Sequence, residues 1–384
     1  MARASKGEGS IVRDGDGWRA RVTVDGKRKS VRASTKAEAA QKRRELLQRR
    51  DAGTLTSGSS PTFEAWSTHW LEAIAELAPM THQGYRWYLN HYINPVIGSI
   101  TLEKLKPEHL EKLYNSMRDG THQKLKKPVS PATVRQAHSI IRRALKIATQ
   151  RGHAGRNVAL LVSIPAVPKA QTESLSIADA QAILAAAENS PYRARWVIAI
   201  LLGLRPGEAL GLTWDNIDLE AGELHVRHQL QHIAGRGLIL KDAPKTDAGH
   251  RTVKMPQFLT QLLVEHRAQQ LRIRAEEGDD WVGWQYNGKP IPLVFTKRNG
   301  MPISTRLDDD HWRELVSQAG LPHTRRYTAR HTAATIMLDQ IGDVAVVAAT
   351  LGHSDPSFTY RVYVHALEEK KVTLAERLNA FAPK

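Results

Sequence analysis

The chain has no cysteine in its 384 residues. That excludes disulfides, thiolate zinc sites and cysteine nucleophiles together, and it is compatible with a reducing compartment. Long apolar runs are also missing. The longest, Trp196 to Leu204, is less than half of the roughly 20 residues that a membrane-spanning helix needs. The opening segment MARASKGEGS lacks the apolar core of a signal peptide, so the expectation is a protein that is neither exported nor membrane-bound. No Gly-rich Walker loop is present to cradle a nucleotide phosphate. Acidic residues are in deficit, 39 Asp and Glu against 55 Lys and Arg, a formal net charge of +16. Such an excess points to a polyanionic partner.

What is present is enough for real cores. Hydrophobic residues make up 41% of the chain, and its length suggests two or three domains. The first 50 residues hold 15 Lys and Arg against 6 Asp and Glu, more than half of the net charge. Their pattern predicts three short strands and a helix. Ser10 to Arg13 leads into the turn Asp14–Gly17, and Trp18 to Val24 alternates apolar and polar residues with period two. Asp25-Gly26 is a hairpin turn, Lys27 to Ala33 returns, and Ser34 or Thr35 caps a helix to about Arg50. Trp18, Ala20, Val22 and Val24 then face the helix, leaving Arg19, Arg21 and Thr23 on an open sheet face that could enter a DNA major groove. Arg19, Arg21, Lys27, Arg28 and Lys29 are the candidate DNA contacts of this module, and a merely solvated basic face is the alternative.

A Gly/Ser/Thr-rich linker, Ala52 to Pro61, precedes a helical segment. Helices are predicted over Phe63–Leu77, over Thr81–Tyr92 with an end near Pro95, over Pro107–Met117 and over Pro131–Gln150. Basic residues accompany them (Lys124, Lys126, Lys127, Lys146), and Arg135, Arg142 and Arg143 are the candidate DNA contacts of this segment. The second linker, Val162 to Thr172, contains two prolines. Beyond it the chain reads as mostly helical, except for an extended stretch from Gly222 to Met255.

This last segment carries a dispersed polar set: Arg205 in GLRPGEALGL, Lys245 in APKTDAGHRTV, Arg330 in YTARHTAAT, His353 in LGHSD and Tyr363 in YRVYVH. Attack of a tyrosine on a phosphodiester needs such a set. The phenol must lose its proton as it attacks. Negative charge gathers on the non-bridging oxygens, where guanidinium groups can hold it. The departing oxygen needs a proton from a general acid. Each residue also has a plainer reading. Arg205 could be a structural partner of Glu208, and His353 a helix cap. Lys245 competes with Lys241 and Lys254, and Tyr363 with Tyr360, one turn away. His225, His228 and His232 suggest a metal cluster, but a strand would point His225 and His228 to opposite faces, and no carboxylate partner is evident nearby. Asp308-Asp309-Asp310 reads as a helix N-terminal cluster.

The five motifs, in this order, resemble the catalytic domain of tyrosine recombinases of the phage-integrase type. The segment 62–165 is similar to the family's helical core-binding (SAM-like) domain, and the segment 1–55 to an integrase arm-type DNA-binding domain. The resemblance implies an α+β protein, mainly α with small β elements. Its parts are an N-terminal three-stranded sheet plus helix (1–55), a helical core-binding domain (62–165) and a mixed α/β catalytic domain (173–384). It implies site-specific cutting and rejoining of DNA through a 3′-phosphotyrosyl intermediate and a Holliday junction, without metal or other cofactor. Lys245 would be the general acid, and Tyr363, followed by Val364-His365, the nucleophile. The family's His-x-x-Arg motif is altered here, because Tyr327 stands where the histidine is expected. The implied partners are double-stranded DNA at core and arm attachment sites, further copies in a homotetramer, and a DNA-bending host factor and excisionase. The implied setting is the bacterial cytoplasm, nucleoid-associated when bound to DNA. The apolar stripe Val372, Leu374, Leu378 and Phe381 would dock on a neighbouring protomer. A type IB topoisomerase, a dimer resolvase and an inactive DNA-binding protein are the competing readings. The basic first 50 residues argue against the first two, and the intact polar set against the third.

Overall fold

The computed structural model describes residues 9–24, 26–51, 60–74, 78–125, 127–164, 166, 175–233, 235–242 and 250–353. The chain divides into two compact units, Met1–Lys169 and Ala170–Lys384.

The first unit opens with the antiparallel strands β1 (Ser10–Asp14), β2 (Gly17–Val24) and β3 (Lys27–Ala33), followed by α1 (Lys36–Asp51). Ala20, Val22 and Val24 are buried and Leu46 of α1 packs with the valines, as the period-two pattern requires. Thr35 caps the helix: its Oγ1 accepts from Glu38 N at 3.1 Å, and Glu38 reaches back to Ser34 N at 2.8 Å. Register separates the basic residues. Arg28 pairs with Thr23 on the face of Arg19 and Arg21, whereas Lys29 pairs with the buried Val22. Lys29 Nζ lies 3.6 Å from Glu103, and Arg19 is held by Asp14 at 2.6 Å. The Lys27 side chain lies outside the described residues.

A helical bundle follows: α2 (Phe63–Ala73), α3 (Pro79–Tyr88), α4 (Asn94–Ile97), α5 (Pro107–Asp119) and α6 (Pro131–Gln150). One apolar core joins Phe63, Trp66, Trp70, Ile93, Leu110, Met117 and Ile141. The helix does not stop at Tyr92 but continues through Pro95 and ends at Ile97. A π turn over Leu89–Ile93 lets Asn94 N donate to Leu89 O, so the hydrogen-bond ladder changes step just where Pro95 has no N–H to give. On α6, Ser130 caps the N-terminus and Val134, Ile140, Ile141 and Leu145 are buried, while Arg135, Arg142, Arg143 and Lys146 are exposed.

The second unit is built from α7 (Ile177–Ala186), α8 (Arg193–Val197), α9 (Pro206–Leu210), α10 (Gln257–Glu277), α11 (Thr305–Gln318), α12 (Thr328–Ile341) and α13 (Val344–Leu351). Its strands are β4 (Ile217–Asp218), β5 (Glu223–Val226), β6 (His228–Ile233), β7 (Gly237–Asp242), β8 (Arg251–Lys254), β9 (Gln285–Tyr286) and β10 (Lys289–Pro290). β4-β5-β8 form one antiparallel sheet, and β6-β7 and β9-β10 are hairpins. Two cores meet through α8 and its π-turn continuation, Ile198–Leu202. One holds Ile198, Leu210, Leu224, Val253, Leu259 and Phe295, the other Ile183, Trp196, Ile200, Trp312 and Ala329. Among the described residues no helix is long and apolar enough to cross a membrane.

Candidate active site

Three arginines converge on the C-terminal end of α13. Its last carbonyls each accept one guanidinium. Arg251 Nε donates to Thr350 O at 2.8 Å, Arg330 Nη2 to Leu351 O at 2.6 Å, and Arg205 Nη2 to Gly352 O at 2.8 Å. A helix leaves these carbonyls unpaired and partly negative, so they suit cations. His353 is the next residue, beyond Gly352 in the left-handed conformation that ends the helix.

The chain reaches this point through two special turns. Ile198–Leu202 is a π turn closed by Gly203 N donating to Ile198 O at 3.1 Å. Gly203 has φ +62°, and a Cβ there would lie 2.5 Å from Leu351 Cδ2 and 2.9 Å from Ala333 Cβ. Glycine is therefore required on both conformational and packing grounds. Its carbonyl accepts from Arg330 Nη1 at 2.8 Å, so Arg330 ties the end of this turn to the end of α13. Arg205 then caps the short α9, whose Glu208 accepts from Arg205 N at 2.9 Å and from Arg205 Nη1 at 2.6 Å.

Glu208 also holds Arg251, at 2.8 and 3.3 Å. Burial pushes its carboxyl up, but hydrogen bonding and charge from Arg251, with Arg205, overcome this and hold it at about 2. The structural Arg205–Glu208 pair is thus real, and it leaves Arg205 partly exposed, at 36% of its side chain, beside the site. Arg330 is 2% exposed. Burial, then the charge of Arg205, lowers its pKa to about 10, which still leaves it cationic near neutral pH. For His353, burial followed by Arg330 and Arg205 lowers the imidazole to about 4, so it is neutral at pH 7. His331 is lowered too, by burial and by Arg330.

Tyr327 precedes α12 with 43% of its surface exposed, its ring edge-on to His331 at 5.2 Å between centroids. It shares a helix face with Arg330, three residues on. Arg205, Arg330, His353 and Tyr327 therefore belong to one neighbourhood, with Glu208 and Arg251 behind it. Lys245, Tyr363, the rival Tyr360 and the tail stripe lie outside the described residues. Of the rival lysines, Lys254 is tied to Glu223 at 2.8 Å, and Lys241 sits on β7 opposite Gln229.

Sequence reasoning missed Arg251, whose only signal is its place as the first residue of an alternating strand. The Asp308–Asp310 cluster does lie near the N-terminus of α11, but Asp308 is 1% exposed and paired with Arg195 and Arg326, which the sequence did not show. The histidines do have carboxylate neighbours, since Asp242 lies 3.1 Å from His228 across β6-β7 and Glu223 lies 3.9 Å from His225. No grouping able to hold a metal ion occurs among the described residues.

Two guanidinium groups and an imidazole gathered at helix ends form a cationic donor set that can hold a phosphate group. Residues 173–370 match the phage integrase family, and residues 62–118 match the phage integrase N-terminal SAM-like domain. The chain belongs to the phage integrase family, the tyrosine recombinases, and is a site-specific recombinase that cleaves and rejoins DNA. An integrase of Saccharopolyspora erythraea is 29% identical, with 99% of this chain and 98% of that protein covered. An integrase of Streptomyces ambofaciens is 27% identical over 94% of this chain and 93% of that protein. Among solved structures, the Tn1549 transposon integrase in complex with a circular intermediate DNA matches with a TM-score of 0.69 at 20% identity, covering 83% of this chain and all of that one. A lambda integrase dimer bound to a core site matches with a TM-score of 0.55 at 16% identity, covering 94% of this chain and 96% of that chain. These two likenesses concern the fold.

Proposed function

We propose that the chain is the integrase of a phage or integrative element and that Tyr363 is its nucleophile, attacking a scissile phosphate bound by Arg205 and Arg330. The observation that carries this reading is the convergence of Arg205, Arg330 and His353 on the end of α13. Arg330 spends two donors on carbonyls, Arg205 spends one on a carbonyl and one on Glu208, and each keeps others for a phosphate oxygen, so the cations are oriented before substrate arrives. Neutral His353 and the hydroxyl of Tyr327 donate hydrogen bonds to the same phosphate. Lys245 protonates the departing 5′-oxygen. The 3′-phosphotyrosyl bond conserves the energy of the broken phosphodiester, so resealing consumes no nucleotide.

Residues 1–55, 62–165 and 173–384 act as arm-binding, core-binding and catalytic parts. The exposed Arg135, Arg142 and Arg143 of α6 contact the core DNA. Arg19, Arg21 and Arg28 on one face of the N-terminal sheet contact the arm site, and Lys27 and Lys29 of the same strand as Arg28 are further contacts. The core-binding and catalytic parts clamp the core site from opposite sides and the arm-binding part holds a second, distant site, giving bivalent attachment. Strand exchange takes place in a homotetramer on double-stranded DNA, with the segment around Val372–Phe381 joining protomers and with a DNA-bending host factor and an excisionase as further partners. The setting is the bacterial cytoplasm, on the nucleoid. Incubation with a nicked suicide duplex tests the chemistry: a covalent protein–DNA adduct resistant to detergent is expected, and hydrolysis without an adduct would overturn it.

A further inference from the structure

Three tethers hold the loop that leads into α12, and all come from α11. Asp308 accepts from Arg326 Nη1, and the Arg326 Nε lies 2.9 Å from Asp309 Oδ1. Trp312 Nε1 donates to Thr324 O at 3.0 Å. Arg326 directly precedes Tyr327, and Arg330 follows one turn later. Asp308 has a second cation, Arg195 of α8, at 3.0 Å, and both of these side chains are 1% exposed. The two halves of this cluster differ in setting. Arg195 and Asp308 sit wholly inside the protein, whereas Arg326, 8% exposed, lines a cleft of about 420 Å³ shared with Tyr327 and with Pro206, the neighbour of Arg205.

Resting on the roles given above to Tyr327 and Arg330, we propose that Asp308 and Arg326 form a positioning pair that fixes Tyr327 against the scissile phosphate. The Asp308–Arg195 contact belongs to the fold and the Asp308–Arg326 contact to the site. A buried carboxylate is a fixed point, because its own partner Arg195 holds it whether or not the loop is engaged. The planar guanidinium of Arg326, hydrogen-bonded to Asp308 through Nη1 and ion-paired with Asp309 on its Nε side, transmits that position to the residue next in sequence. Loss of the clip leaves Asp308 paired and the core intact, but frees the start of α12 to drift, and small misplacements of this kind are costly in rate.

The test uses the full chain and a nicked suicide duplex bearing a core site selected from random sequence by binding to that chain. Single-turnover cleavage is followed at saturating protein, together with the half-saturation concentration and Tm. Arg326→Met is expected to lower the saturated rate by about tenfold or more, with half-saturation and Tm close to those of the unsubstituted protein. Arg195→Met is expected to lower Tm and, because it loosens the Asp308 anchor, to lower the saturated rate as well. Adding Tyr327→Phe to Arg326→Met should cost nothing further, because the hydroxyl acts only when clipped. Arg326→Lys keeps the charge but gives up the second nitrogen. It should show an intermediate rate, and it carries the test if the methionine variant does not fold. An unchanged rate in Arg326→Met overturns the clip, as do parallel losses of rate, half-saturation and Tm or an additive double variant. Full activity in Arg330→Ala would overturn the underlying reading of the site instead.

Discussion

Glu208→Gln removes the one carboxylate shared by Arg205 and Arg251, and its cost can be worked from the structure. The carboxyl is held at about 2 against an ordinary value of 4.5. At 1.36 kcal/mol per pK unit, this corresponds to about 3 kcal/mol of stabilisation of the charged form. Breaking a buried ion pair from one side typically costs a similar ~3–5 kcal/mol, and Arg251, with 5% of its side chain exposed, would be left facing a neutral amide. For a unit of this size, a loss near ~3 kcal/mol lowers Tm by roughly 6–12 °C. The pH dependence has a definite sign. A carboxyl with a depressed folded-state pKa stabilises above its unfolded value, and that contribution fades as pH falls from 4.5 towards 2. Thermal scans of the unsubstituted and Glu208→Gln proteins should therefore differ fully at pH 7 and converge towards pH 2. A Tm difference that is negligible at pH 7, or one that does not shrink on acidification, would refute the reasoning.

Other outcomes follow from the same geometry. Tyr327→Phe should slow cleavage by about one hydrogen bond, ~1–3 kcal/mol in activation free energy, whereas Arg330→Ala should be far worse because it removes a charged donor from the transition state; equal damage in single-turnover rates would give Tyr327 a proton-transfer role. In the DNA-free protein, NMR titration of His353 should show a neutral ring at pH 7 and a midpoint near 4. Because that value is depressed from 6.5, the associated stability is full above 6.5 and is lost as pH falls towards 4. Removal of residues 1–55 should spare cleavage of a core site but strongly reduce integration, since arm binding supplies effective concentration, and it should lessen the salt dependence of binding to arm-containing DNA.

The sequence disclosed what rests on local rules. Alternation placed Ala20, Val22 and Val24 in the small core, and Pro131 marked the start of α6. The dispersed Arg205, Arg330 and His353 were legible as a set because their motifs, in this order, resemble those of the tyrosine recombinases; no local pattern brings residues this far apart together. What stayed hidden depends on tertiary burial. Three adjacent carboxylates look alike in sequence, yet Asp308 turns inward to Arg195 and Arg326 while Asp309 and Asp310 are far more exposed. Arg251 reads as a surface strand residue until Glu208 is seen opposite it. His228 meets Asp242 only through the register of β6 with β7. Pro95 marks a helix stop only for a regular ladder, and the π turn before it removes that constraint.

The central claim, that a tyrosine of this chain becomes covalently joined to DNA within the arginine site, is tested most directly by trapping the adduct on a suicide duplex and sequencing the DNA-linked peptide by mass spectrometry. A 3′-phosphotyrosyl bond at Tyr363 is expected, with no adduct from Tyr363→Phe although that variant still binds the duplex. A bond at Tyr360 or any other residue, or cleavage that persists in Tyr363→Phe, would contradict it.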